Sequence, residues 1–455
     1  MSQSISGAGF SRYDFYVILW PMTTTHLTET QFANLELSDS ILISLHSAGF
    51  TYCTPIQDRS LPLLLRDRDI AGQAQTGTGK TATFLLATFQ RLLNDNENKE
   101  AANQPIKNPR AVILAPTREL AIQIHKDALL LSKHLQLRFA LIYGGTDYQK
   151  QLDKIKSNVD VIIGTPGRII DFYKQQAFSL DHVQVSVLDE ADRMFDLGFI
   201  KDIRYLLRRM PPHDQRLNML FSATLSYKVT ELAYEHMNSP VLIKIETETV
   251  TSKAIKQIAF CPSNEQKIPL LIGILKKYQP QRSIIFVNTK RCAELLDATL
   301  TANGFKTAAL SGDVPQEKRQ QLLHAFQENN ISLLIATDVA ARGLHIADVS
   351  HVINYDLPQD VEDYVHRIGR TARFGASGEA ISFICEDYAY SMPDIESYIG
   401  EKVPVQAVTP ELLAQDLIQP ERRPRPPRDD KQNRRPKSGT GRPPRARPST
   451  PGNPR

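Results

Sequence analysis

Cysteine is scarce: four residues in 455, at positions 53, 261, 292 and 385, with no C-x-x-C spacing among them. That excludes a disulfide framework and a cysteine zinc site, and fits a reducing compartment. Long apolar runs are also missing. Nothing approaches the roughly 18 residues a membrane helix needs, and Phe15 to Trp20 is too short for a signal-peptide core and lacks a basic flank. The expectation is a cytoplasmic protein without membrane spans.

Hydrophobic content of 41% and charged content of 23% are ordinary for a globular chain long enough for two core-forming domains. The formal net charge of +4 is unevenly placed. Residues 420–455 carry net +9, leaving −5 for the body, and 10 of those 36 residues are proline. Such a composition buries no core, so a Pro/Arg-rich disordered tail is expected over 411–455, acting as a nonspecific tether for a polyanion such as a nucleic acid. Residues 1–30 read as a disordered N-terminal extension, of which 1–21 are expected to be dispensable or to precede the true start at Met22.

The densest chemistry lies at Ala74-Gln75-Thr76-Gly77-Thr78-Gly79-Lys80-Thr81, after a short apolar-leaning run and before a helix-forming segment. Strand, loop and helix in that order are what a phosphate loop requires. Glycines let consecutive N–H groups turn toward phosphate oxygens, and the helix start adds positive potential. Lys80 is placed for the β/γ-phosphates and Thr81 for Mg²⁺. The strict phosphate-loop pattern wants glycine where Ala74 stands.

Upstream, Gly49 to Gln57 offers an amide suited to the adenine edge at Gln57 and an aromatic ring at Phe50, with another ring earlier at Phe32. Downstream, apolar runs at 111–115, 139–143, 159–163, 183–188 and 218–221 alternate with helical segments, predicting a parallel sheet with ligands at the strand carboxyl ends. At one such end Asp189 is placed to hold Mg²⁺ and Glu190 to activate water. Residues 246–264 read as a linker, after which the alternation restarts at 283–287, 307–310, 331–336, 349–355 and 379–385. Domains are therefore expected at 31–245 and 265–410. Arginines at 367, 370 and 373 need an anionic partner; Arg370 and Arg373 are read as reaching the γ-phosphate.

The ordered motifs resemble those of the DEAD-box RNA helicases of superfamily two, over about 32–404. Gly49–Gln57 matches the Q motif and Ala74–Thr81 motif I, whose family form begins with alanine. Pro116–Leu120 matches Ia, Asp189–Asp192 motif II, Ser222–Thr224 motif III, Thr337–Gly343 motif V and His366–Arg373 motif VI. The resemblance implies two tandem RecA-like domains closing over ATP, Mg²⁺ and single-stranded RNA. It implies RNA contacts at Thr117, Arg118, Gly144, Gly145, Thr165, Arg168, Arg291, Gly312 and Arg319. It also implies a ribose contact at Asp338, and coupling roles for Asp192, Ser222, Thr224, Arg342 and His366. The family usually has glycine where this chain has Ala372, which strains the loop if that position requires positive φ. Asp196–Arg204, Gln215–Ser226 and Thr25–Glu29 further resemble a bacterial branch that works in the RNA degradosome beside ribonuclease E and polynucleotide phosphorylase. Outside such a complex a monomer is expected. An ATP-gated RNA clamp that unwinds little until a partner binds would use the same residues.

Overall fold

The computed structural model describes residues 27–74, 77–100, 108–245, 255–341, 349–372 and 378–420. The expectations for 1–21 and for the tail beyond 420 lie outside them, and one bound is corrected: 411–420, read as the start of the disordered tail, is packed, with Leu412, Leu413, Ala414 and Leu417 against a hydrophobic core and Ala414 N–H donating to Pro269 O at 3.0 Å.

Two seven-stranded parallel sheets organise the chain. The first is built from β1 (Ile70–Gln73), β2 (Ala111–Leu114), β3 (Phe139–Ile142), β4 (Val161–Gly164), β5 (Val185–Leu188), β6 (Leu217–Ser222) and β7 (Val241–Lys244), in the order β3-β4-β2-β5-β6-β1-β7. The second holds β8 (Ile255–Phe260), β9 (Ser283–Phe286), β10 (Thr307–Leu310), β11 (Leu333–Ala336), β12 (His351–Asn354), β13 (Gly378–Phe383) and β14 (Val405–Gln406), in the order β10-β11-β9-β12-β13-β8-β14. The first sheet and its helices are called the first lobe, the second sheet and its helices the second.

Both faces of each sheet are covered, which is why these strands read as unbroken apolar runs rather than alternating ones. Successive residues still point to opposite faces. In β2, Ala111 and Ile113 enter one core while Val112 and Leu114 enter the other. In β9, Ile285 faces one core, and Ile284 and Phe286 the opposite one.

One expectation is corrected. The stretch read as linker contains β8, whose six residues pair in parallel with all six of β13. Lys256 and Gln257 interrupt its apolar pattern, yet Ile255, Ile258, Ala259 and Phe260 are buried. Packing of the sheet face overrides the local polarity.

Most of the described motif loops leave carboxyl ends of these strands; Gly49–Gln57 instead precedes β1, and His366–Arg370 lies at the end of the helix Val361–Ile368. The phosphate loop follows β1, Asp189 follows β5, Ala223 follows β6, Thr117 follows β2 and Thr165 follows β4. On the second sheet Asp338 follows β11 and Asp356 follows β12.

Candidate functional site

The helix Lys80–Glu100 starts at the phosphate-loop lysine, whose Nζ donates to the Ala74 carbonyl at 2.7 Å. Gly79 has φ +95°, and a Cβ there would stand 2.5 Å from Gln57 Nε2 and 2.8 Å from Thr54 Oγ1. Only glycine fits, on both conformational and steric grounds. Of the expected nucleotide contacts, Ala74, Gly77, Thr78, Gly79, Lys80 and Thr81 lie in this loop, while Gln75 and Thr76 fall outside the described residues.

Gln57 is 1% exposed, and its amide is engaged with the chain. Oε1 accepts from Thr54 N at 2.8 Å and Nε2 donates to Gly79 O at 3.2 Å. The amide expected to read adenine therefore also caps its own helix, Pro55–Leu64, and braces the phosphate loop. Phe32 is a correction: at 2% exposure its ring fills the first core and presents no open face, because the short turn Phe32–Asn34 packs it inward. Phe50 is half-buried against the same core.

Asp189 is buried, and desolvation pushes its carboxyl up to about 7, opposed first by the Lys80 ammonium. Glu190 follows in the left-handed region at φ 51°, a conformation costly for a side chain with a Cβ, and its N–H donates to Asp189 Oδ1 at 2.9 Å. Glu190 Oε2 is buried without a hydrogen-bond donor, and Arg193 Nε lies 3.7 Å away. Asp192 reaches the loop after β6. Its N–H donates to Ser222 Oγ at 3.2 Å, and its Oδ2 accepts from Ala223 N at 3.1 Å and Thr224 N at 3.2 Å. The three coupling residues of the first lobe are thus brought together.

The expected RNA residues of the first lobe also converge. Thr117 caps the helix Arg118–Leu131 by accepting from Leu120 N. The Arg118 guanidinium lies over Gly145, where φ is +83° and a Cβ would stand 2.4 Å from Nη1. Gly144 sits under both Arg118 and Arg168, and Thr165 begins the helix Pro166–Lys174 that carries Arg168. Arg168 stacks near the Tyr148 ring at 5.4 Å, and its Nη1 is buried without a partner.

On the second lobe, Arg291 and Gly312 are exposed neighbours of Lys290. Arg319 differs from expectation. Its Nε pairs with Glu119 Oε1 of the first lobe at 3.1 Å, so its charge is neutralised by a carboxylate. Asp338 is likewise occupied, by a two-pronged pair with Arg367 at 2.7 and 2.6 Å. Arg367, 1% exposed, also donates to Asp356 O and Asn288 Oδ1. Of the three arginines, this one ties together the ends of β9, β11 and β12. Arg370 is buried and His366 half-buried; both line a narrow cleft with Arg193 of the first lobe, Asp338 and Arg367. Arg342 and Arg373 lie outside the described residues. Ala372 has φ 52°, the strained conformation its substitution for glycine implied.

Sequence reasoning did not single out Glu119, Arg193 or Asp356. Arg193 was signalled by its position directly after Asp192, and Glu119 by lying inside Pro116–Leu120; Asp356 carried no local sign, since its partners are distant in sequence.

Among the described residues no helix is long and apolar enough to cross a membrane, and no three His, Cys, Asp or Glu side chains converge as metal ligands. The family model described as DEAD/DEAH box helicase matches residues 54–232, and that described as helicase conserved C-terminal domain matches 266–375. A Vibrio vulnificus protein named ATP-dependent RNA helicase RhlB is 56% identical over 403 residues, covering 89% of this chain and 92% of its own. A Shewanella protein of the same name is 54% identical over 422 residues, covering 93% and 95%. Among solved structures, S. cerevisiae Dbp5 bound to RNA and ADP BeF3 aligns with TM-score 0.72 at 32% identity, covering 83% of this chain and 95% of that one. Mss116p bound to ssRNA and AMP-PNP aligns with TM-score 0.73 at 29% identity, covering 84% and 80%. With its two parallel sheets and their loop chemistry, this chain belongs to the DEAD-box helicases.

Proposed function

We propose that this chain is an ATP-dependent RNA helicase that hydrolyses ATP when RNA is bound and separates short duplexes locally. The observation that carries this is the pocket whose walls come from both lobes, with Arg193 from the acidic-motif helix facing Asp338, His366, Arg367 and Arg370.

Lys80 and the loop N–H groups would hold the β/γ-phosphates, and Arg370 with Arg373 would balance charge on the terminal phosphoryl group. Glu190 would orient the attacking water and take its proton; its buried Oε2 accepts no hydrogen bond, with the Arg193 guanidinium 3.7 Å away. Thr81 and Asp189 suit Mg²⁺: a buried carboxyl held near neutrality by desolvation gains most from a divalent cation. When bound, the ion supplies charge neutralisation on the phosphates. Arg118, Gly144, Gly145, Thr165 and Arg168 present guanidinium and backbone groups suited to phosphates rather than bases, so binding is sequence-tolerant and salt-sensitive.

The identity to proteins named RhlB supports a cytoplasmic place in an RNA-degrading assembly with ribonuclease E and polynucleotide phosphorylase as partners. Strand displacement of a short RNA duplex, with ATP and with and without ribonuclease E, tests both levels. Displacement that requires ATP and RNA supports the helicase reading; displacement independent of ATP overturns it. Unwinding unchanged by ribonuclease E would remove the partner.

A further inference from the structure

The second lobe holds a buried ammonium that the chemistry described so far does not use. Lys267 opens the helix Lys267–Tyr278, and its side chain is 6% exposed. Nζ donates to Asp356 Oδ1 at 2.5 Å and to Cys385 Sγ at 3.5 Å, and lies 4.1 Å from the Tyr355 ring centroid and 5.8 Å from that of Tyr388. Burial works against this ammonium, but the Asp356 carboxylate more than offsets it and holds its pKa above the ordinary lysine value. Lys267 does not itself line the cleft between the lobes. A buried pair of this kind contributes little net stability, because desolvation of both ions offsets their attraction. What it supplies is a fixed direction.

That direction can be followed to the cleft. Asp356 Oδ2 accepts from Asn288 N at 3.0 Å, and Asn288 Nδ2 donates to Leu357 O at 2.8 Å. Asn288 Oδ1 and the Asp356 carbonyl then hold Arg367, accepting from Nη2 at 2.9 Å and from Nη1 at 2.6 Å. The guanidinium is planar, so fixing those two nitrogens fixes Nε as well, and Nε with Nη2 grips both oxygens of Asp338. Asp338 lines the cleft beside Arg193, His366 and Arg370. Each of its oxygens accepts one hydrogen bond from Arg367, and a carboxylate has about four acceptor sites, so capacity remains toward the cleft. In a cleft that takes a nucleotide, a carboxylate repels phosphates and suits hydroxyl donors, which the ribose supplies.

We propose that Lys267 is a positioning residue for the nucleotide reaction. Through Asp356, Asn288 and Arg367 it sets the direction of the Asp338 carboxylate, and with it the preference of the site for a nucleotide that carries ribose hydroxyls. This rests on the helicase reading for its kinetic test but not for its binding test.

The experiment compares full-length wild type, Lys267→Met, and the double variant Lys267→Met with Asp356→Asn, each with ATP, 2′-deoxy-ATP and 3′-deoxy-ATP at saturating RNA. Wild type should prefer ATP to at least one deoxy analogue by about tenfold in kcat/KM, the value of a hydroxyl bonded to a charged acceptor. In Lys267→Met the KM for ATP should rise about tenfold, kcat should change by less than about twofold, and the preference should fall toward one. A merely supporting role would lower the fraction of active enzyme, moving kcat while KM and the preference keep their wild-type values. Methionine alone strands the Asp356 charge and can unfold the lobe. The double variant removes that charge, so urea unfolding should show stability near wild type while the loss of preference persists. A wild type without preference, or a folded double variant with wild-type KM and preference, overturns the proposal. Calorimetric binding of ATP and the two analogues reads the same preference without hydrolysis. Were RNA-stimulated ATPase absent in wild type, the helicase reading would fall while the affinity ratios still decided the role of Lys267: lost in the double variant if the proposal holds, kept if it does not.

Discussion

Replacing Arg367 with methionine is expected to destabilise the second lobe by about 2–4 kcal/mol. The guanidinium sits at 1% exposure over the Phe286 ring, 5.1 Å from its centroid, and makes four hydrogen bonds to groups at three strand ends. Breaking a buried pair from one side costs about 3–5 kcal/mol because the remaining charge is left uncompensated. Asp338 is 21% exposed on its side chain, so water recovers part of that cost and the lower range applies. Arg367→Lys keeps the charge but loses the planar fork, and should cost about 1–2 kcal/mol. Urea unfolding of the full chain, followed by a probe on the second lobe, reads both. The double variant Arg367→Met with Asp338→Asn should be less damaged than the sum of its parts, since neutralising Asp338 removes the orphaned charge. A methionine variant within 0.5 kcal/mol of wild type, or a strictly additive double variant, would refute the reasoning.

Gly79→Ala places a Cβ 2.5 Å from Gln57 Nε2 at a φ of +95°, so the phosphate loop must shift; ATP half-saturation should rise at least tenfold in a nucleotide titration. Asp127 is held up to about 6, mainly by desolvation. Its folded-state value lies above the unfolded one, so the folded chain loses stability as pH rises from about 4 to 6 and does not regain it at pH 7. The gap corresponds to about 3 kcal/mol in a dry site; with a half-buried side chain, Asp127→Asn should stabilise by about 1–2 kcal/mol at pH 7 and by nothing at pH 3.5 in urea titrations. Ala372→Gly relieves a left-handed alanine worth about 1–2 kcal/mol against an added unfolded-state entropy of about 0.4–1 kcal/mol. The melting temperature should rise by roughly 1–2 °C.

The first sheet was legible because doubly covered parallel strands are apolar throughout, and because the phosphate loop concentrates its chemistry in eight consecutive residues. β8 was hidden by Lys256 and Gln257 in its early half and by the polar stretch before it. β14 was hidden by its length, two residues that are both exposed. At the site, the groupings within one loop were readable. The fates of Arg319 and Asp338 were not: each is decided by a partner distant in sequence, Glu119 for one and Arg367 for the other. The same holds for Gln57, whose amide chemistry was recognised but whose anchoring to Gly79 depends on how the loop folds back.

The central claim is that nucleotide hydrolysis depends on groups from both lobes and on RNA that joins them. Steady-state ATPase of wild type and Glu190→Gln, with and without single-stranded RNA, tests it most directly. The account predicts strong RNA stimulation in wild type and loss of turnover in Glu190→Gln at every RNA concentration; equal wild-type turnover with and without RNA would contradict it.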